Sequence, residues 1–238
     1  MVEKENTDFN ITDIQNEEKA PWKISDVLFT YVLIFALSIA AIGILLISGI
    51  DANESLFPAV LQVLLSIITL SVIFIIVTKK YKIPFLKAFG ISTQKMPSFF
   101  IQGIAVSFIL VISTSLVSYI FTEMMGIHRE NPYVNVPKEK LQMISIMAVM
   151  VAPVVEEIFF RGFMQPALVK SFGIFGGVFL TALIFGLSHA QYLDYSTALV
   201  AVIVIGLVLG TTRHYTHSVV PGIFAHLLNN LFAALSLQ

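Results

Sequence analysis

The stretch VVEEIFFRGF, residues 154–163, places two adjacent carboxylates and a guanidinium inside an otherwise apolar run. Glu157 and Arg161 are four apart, so on a helix they share a face and are expected to pair, whereas Glu156 points about 100° away. A lone carboxylate in an apolar medium is desolvated, so a neighbouring group must supply charge or use it. Two later stretches hold candidates. FGLSHAQ sets Phe185 and His189 four apart on one face, and PGIFAHLLNN does the same for His226 and Asn230. A carboxylate, two imidazoles and an amide are the groups of general acid–base hydrolysis or of a proton relay. With Glu156, His189 and His226 as ligands they would instead make a zinc site with an open position for water. Each group also has a plain structural reading: an internal salt bridge for Glu157 and Arg161, packing for Phe185, and polar contacts between membrane helices for His226 and Asn230.

What must position these groups is a set of membrane helices. The chain of 238 residues is 57% hydrophobic and 12% charged, carries a formal net charge of -1 and has no cysteine. That composition excludes a soluble domain, a basic nucleic-acid surface, disulfides and thiolate chemistry. At roughly 20 apolar residues per crossing, the candidate spans are 25–49, 56–78, 98–122, 141–165, 173–190, 196–212 and 218–236. The expected fold is all-α, a polytopic membrane helix bundle of about seven transmembrane helices.

Residues 1–24 read as a flexible polar tail. Segment 79–97, with Lys79, Lys80, Tyr81, Lys82, Pro84 and Lys87, reads as an interfacial stretch with basic anchors. His128, His214 and His217 fall in loops or at helix ends and are expected to be solvated, and Asn229 cannot share the face of His226 and Asn230. A turn is expected at Ser171–Gly173. Glu156 and His189 each lie about 16 residues from it, roughly 25 Å along their helices at 1.5 Å per residue. A simple hairpin therefore puts them at one depth and predicts a Glu156–His189 pair.

Glu156-Glu157-xxx-Arg161, Phe185-xxx-His189 and His226-xxx-Asn230, in that order on successive late helices, resemble the motifs of the CPBP intramembrane proteases. This is the CAAX-protease and bacteriocin-processing family, also called Abi, which includes the Rce-type CAAX prenyl proteases. The resemblance runs over 137–238, which it implies to be a catalytic helical core, and leaves 25–136 as variable N-terminal transmembrane helices. It implies an endopeptidase in which Glu156 and His189 activate a water and His226 and Asn230 stabilise the tetrahedral oxyanion. Glu157 with Arg161 would hold the first carboxylate in position, and Phe185 would shape the site. The set suffices without a metal, so no cofactor is expected. Zn2+ held by Glu156, His189 and His226 is the alternative, although HExxH is absent and the ligands come from three helices. The implied partners are membrane lipid and a peptide or lipidated protein substrate, in a multi-pass protein of a prokaryotic plasma membrane.

Orientation introduces a conflict. Placing the N-terminus in the cytoplasm puts Lys4, Lys19, Lys23, the lysines of 79–97, Lys170 and Arg213 on that side, against Arg129, Lys138 and Lys140 on the other. The hairpin then sets Glu156 and His189 in the outer half of the bilayer, whereas a prenylated CAAX substrate is cytoplasmic. Either the orientation is inverted, or Pro153 breaks the fourth span and changes the depth of Glu156, or the substrate is another peptide, such as a secreted precursor. Two other functions compete with the protease. A non-proteolytic immunity or peptide-binding protein would tolerate loss of Glu156, and a proton-coupled transporter would be expected to carry charged or broken helices in both halves, which the first three spans lack.

Overall fold

The computed structural model describes residues 20–49, 54, 56–127, 133 and 135–236. Most of the expected N-terminal tail, up to residue 19, lies outside the described residues, as do His128 and Arg129. Every regular element among the described residues is a helix, the form in which a backbone in lipid satisfies its own polar groups. Helix α1 (Ile24–Ile47) and helix α2 (Phe57–Ile75), the latter extended by a π turn over Ile76–Lys80, make the first two crossings. Large side chains on α1, including Phe29, Val32, Phe35 and Ile44, face outward where lipid would cover them. The short α3 (Phe85–Ala88) precedes α4 (Met96–Tyr119), which ends in a second π turn over Ile120–Met124. The C-terminal half comprises α5 (Lys138–Met150), α6 (Ala152–Glu156), a π segment over Glu157–Met164, α7 (Gln165–Leu187), α8 (Ser196–Thr216) and α9 (Val220–Ser236).

Two breaks reshape the expected spans. The fourth, expected as one helix over 141–165, is interrupted at Val151 (φ -108, ψ -51). Pro153 has no N–H to give to the preceding turn and its ring crowds the carbonyl four residues back, so α5 stops after 13 residues. The second break falls at Gly173 (φ 72, ψ 175), a conformation that glycine adopts at little steric cost. It folds α7 into two arms at the turn expected for Ser171–Gly173. The arms meet tightly at Gly177, where a Cβ would lie 2.4 Å from the Val169 nitrogen. Five helices among the described residues are long and apolar enough to cross a membrane, against the seven expected. Ala152–Leu187 counts once although it holds both arms, and α5 and α9 are shorter than a crossing requires.

The two ends of the bundle differ. At the end marked by Gly173, here the basal end, Trp22 donates its indole N–H to Phe163 O at 2.7 Å, Lys170 donates to Ala20 O at 3.3 Å and Val219 N donates to Phe89 O at 3.1 Å. Asp26 accepts from Lys80 and from the Tyr81 hydroxyl; burial and that carboxylate push the Tyr81 phenol up to about 12. Segment 79–97 is thus more than an interfacial anchor. Its Phe89 is fully buried with Val77, Phe163 and Val219, and Trp22 is nearly so, closing the basal end with aromatic and aliphatic packing. The opposite end carries the starts of α2, α5 and α8 and the turn after Leu187.

Candidate active site

The carboxylate pair sits where the helix loosens. In the π segment every side chain from Glu157 to Met164 is buried, and π turns of this kind mark functional stretches of helices more often than ordinary ones. Arg161 Nη1 stands 3.0 Å from Glu157 Oε1, with both side chains at 0% exposure. The expected pair therefore forms. It is joined by charge rather than by aligned hydrogen bonds, because none of the Arg161 nitrogens meets an acceptor in hydrogen-bond geometry. The guanidinium lies over the Phe185 ring, 4.0 Å from its centroid, so part of its stabilisation is cation–π. Phe185 is thus the aromatic face beneath a buried cation.

Glu157 has a second partner that helical spacing does not reveal. His226 Nδ1, arriving from α9, lies 3.2 Å from the same Glu157 Oε1. Its other ring nitrogen, Nε2, is 3.8 Å from Glu156 Oε2. His226 therefore bridges the two adjacent carboxylates, with Nδ1 committed to the buried one and Nε2 turned toward the one that keeps 25% of its side chain exposed. A buried carboxylate at one ring nitrogen orients an imidazole and sets where its other nitrogen points.

Gly222, one helical turn before His226, makes that approach possible. A Cβ there would lie 2.7 Å from Glu157 Oε2, and the carboxylate, pinned by Arg161 and His226, has nowhere to retreat. Gly222→Ala is expected to cost about 1–3 kcal/mol by overpacking and to lower turnover at the same time, since it displaces the group that holds His226. Thermal unfolding in detergent and initial rates on the same preparation check both effects.

The remaining two motif residues are placed by backbone groups. His189 Nδ1 is 2.7 Å from Phe185 O. A carbonyl only accepts, so Nδ1 carries the proton and Nε2 is left as an acceptor. Asn230 Nδ2 donates to Ala148 O at 2.8 Å. That carbonyl belongs to the last turn of α5, whose intrahelical partner is lost at the Pro153 break, so the kink and the amide satisfy each other. One Asn230 N–H remains for another acceptor. Asn229 donates weakly to Asn230 Oδ1 at 3.4 Å, which helps to orient the amide.

Glu156, His189, His226 and Asn230 all border one cavity of about 490 Å³, together with Phe185. The expected direct Glu156–His189 pair is not formed. They share the cavity, but the neighbour Glu156 approaches is His226. The three elements α6, α7 and α9 do converge, as the spacing of the motifs required, yet His226 sits closer to the acid than His189 does because α9 brings Gly222 and His226 up to the carboxylate pair. Among the described residues no three His, Asp or Glu side chains stand close enough to hold one metal ion. Nδ1 of each imidazole is already committed, to Glu157 and to Phe185 O, which leaves Nε2 as the free nitrogen of each.

Residues 139–232 match the family described as type II CAAX prenyl endopeptidase Rce1-like. The likeness is to that family's domain and covers less than half of the chain. No curated protein and no solved structure matches the chain. All seven residues singled out by their types and spacing fall inside the Rce1-like domain, which begins in α5 and ends within α9. The chain is a multi-pass membrane protein with a segment similar to a membrane protease family.

The Rce1-like domain has a further cavity residue that the motifs do not mark. Tyr192, on the short turn after His189, lies nearly parallel to the imidazole (centroids 6.1 Å apart, 9° between planes), and its hydroxyl is 3.1 Å from that of Tyr133. Burial, followed by the neighbouring Tyr133 hydroxyl, pushes the Tyr192 phenol above its ordinary range, so it stays a neutral donor. The signal available in the sequence was an aromatic three residues after His189, and only the turn geometry turns it inward. Trp22 and Phe89, which close the base beneath Arg161, lie outside the Rce1-like domain.

Proposed function

We propose that the protein is an intramembrane endopeptidase that hydrolyses a peptide bond by a water activated between Glu156 and His189, with His226 and Asn230 as the oxyanion donors. The observation that carries the reading is the convergence of these four side chains on one cavity in a segment of protease family. Glu156 keeps part of its carboxylate in that cavity, so it can take a proton from water as the oxygen attacks the carbonyl carbon. It then returns the proton to the leaving nitrogen. His189, with Nδ1–H spent on Phe185 O, offers Nε2 to the second hydrogen of the water and so fixes its direction of attack. Negative charge develops on the carbonyl oxygen at the same moment. The doubly protonated His226, with Nδ1–H held by Glu157 and Nε2–H free, and the remaining N–H of Asn230 are the donors for it, in surroundings of low dielectric where such donors count most.

Glu157 and Arg161 position this set. Glu157 holds His226 by Nδ1, and Arg161 neutralises Glu157, so that the imidazole presents Nε2 without a second unpaired charge beneath it. The competing immunity-protein reading needs none of these alignments, and no step of the proposed chemistry passes through a metal.

The test is turnover of a fluorogenic peptide with apolar residues flanking the scissile bond, by the purified protein in lipid. His226→Ala is expected to lower kcat by about 10²–10³ and to change KM little, because an oxyanion donor acts in the transition state. EDTA or phenanthroline in the same assay is expected to leave the rate unchanged. Loss of the rate on chelation and its return with Zn2+ would replace the metal-free scheme by the zinc alternative, and unchanged kcat in His226→Ala would remove that residue from the site.

A further inference from the structure

The cavity and the basic charge lie at opposite ends of the bundle. Its lining is drawn from the starts of α2 and α5 (Pro58, Leu141), the turn after α7 (Ser188, Gln191) and the end of α9 (Ala233, Ala234), with no residue from 79–97 or 213–219. Toward the basal end the way is blocked: beneath Glu156 come the sealed Glu157 and Arg161, then Phe163, Phe89, Val219 and Trp22, all 0–2% exposed. Among the described residues the basal route to Glu156 is closed and the cavity is lined from the mouth end.

The basal end is where the cations are. Lys23, Lys79, Lys80, Lys82, Lys87, Lys95, Lys170 and Arg213 all belong to helix ends and loops there, tied together by the Trp22–Phe163, Lys170–Ala20 and Asp26–Lys80 contacts. Among the described residues the mouth end has Lys138 and Lys140, in the first turn of α5. Short loops rich in Lys and Arg stay in the cytoplasm, which makes the basal end cytoplasmic. The Pro153 break does not reverse this, because the kink leaves Glu156 bordering a cavity lined from the mouth end.

Resting on the protease reading, we propose that the active-site cavity opens to the extracytoplasmic side and that the substrate is a peptide segment presented from that side: an exported peptide, or the outer flank of a membrane-anchored one. The mouth accepts an apolar stretch, since Ile144, Met147, Val202 and Ile205 border it, while Gln62 and Gln191 offer amides to its backbone. A prenylated C-terminus made in the cytoplasm would meet the sealed, basic end instead.

The chain has no cysteine, so single-cysteine variants report topology directly. Asp194→Cys, in the exposed turn before α8, and Lys87→Cys, on the basal segment, are each treated in spheroplasts with a membrane-impermeant maleimide. Asp194→Cys is expected to be labelled in intact spheroplasts and Lys87→Cys only after lysis; the reverse pattern overturns the placement whatever the chemistry. In parallel, the termini of membrane and secreted peptides are compared between cells carrying the wild type and Glu156→Gln. Termini lost in the variant are expected on the outer flanks of apolar segments or on exported peptides. Lost termini on cytoplasmic flanks overturn the substrate assignment and leave the protease reading intact. No lost termini, with the labelling as expected, overturn the protease reading and the substrate assignment together while the topology stands.

Discussion

Glu156→Gln is expected to remove peptide hydrolysis while the protein keeps its fold and its melting temperature. A general base and acid in one group contributes about 10²–10⁴-fold, and the amide can neither take the proton of water nor return one to the leaving nitrogen, so the loss lies at or beyond the upper end of that range. The fold should survive because Glu156 is the exposed member of the pair, with 25% of its side chain open to the cavity, and leaves no sealed cation behind when neutralised. Its imidazole neighbour, His226, keeps its bond to Glu157. Initial rates and thermal unfolding on one preparation decide the matter. Wild-type rates in Glu156→Gln would refute the proposed chemistry, and an unfolded variant would mean that the exposed carboxylate holds structure rather than reacting.

The contrast between these neighbouring glutamates shows what spacing along the chain can reveal. Helical geometry is local, so the four-residue interval between Glu157 and Arg161 was enough to anticipate a pair that closes at 3.0 Å. A glycine beside Lys170 was enough to place the hairpin at Gly173. Convergence of three helices followed from the cost of isolated polar groups in lipid. Which nitrogen meets which oxygen is a different matter, since it depends on how closely α9 can approach α6. That distance is set by Gly222 and by a π segment whose wider coil no periodicity in EEIFFRGF announces. Hence His226, and not His189, approaches both carboxylates. The closure of the base by Trp22 and Phe89 joins residues far apart in the chain, and neither hydropathy nor motif carries a trace of it.

Arg161→Ala is the second substitution with a large expected effect, and its partner distinguishes two roles of Glu157. Removing the guanidinium strands a carboxylate with no exposed surface, and breaking a buried pair from one side costs about 3–5 kcal/mol, enough to leave little folded protein in the membrane. The Phe185 ring also loses the cation stacked on it. Removing both charges together, as Glu157→Gln with Arg161→Met, eliminates the stranded charge and fills the volume with an apolar chain, so expression and melting temperature are expected to return toward wild type. Activity should not follow. A glutamine at 157 still accepts from His226 Nδ1, yet it no longer stabilises a proton on Nε2 through the ring, and the oxyanion donor is weakened. A stable double variant with low kcat and an ordinary KM is the expected outcome, measured by unfolding and by steady-state kinetics side by side. Full activity in that variant would reduce Glu157 and Arg161 to a structural ion pair and leave His226 oriented by packing alone.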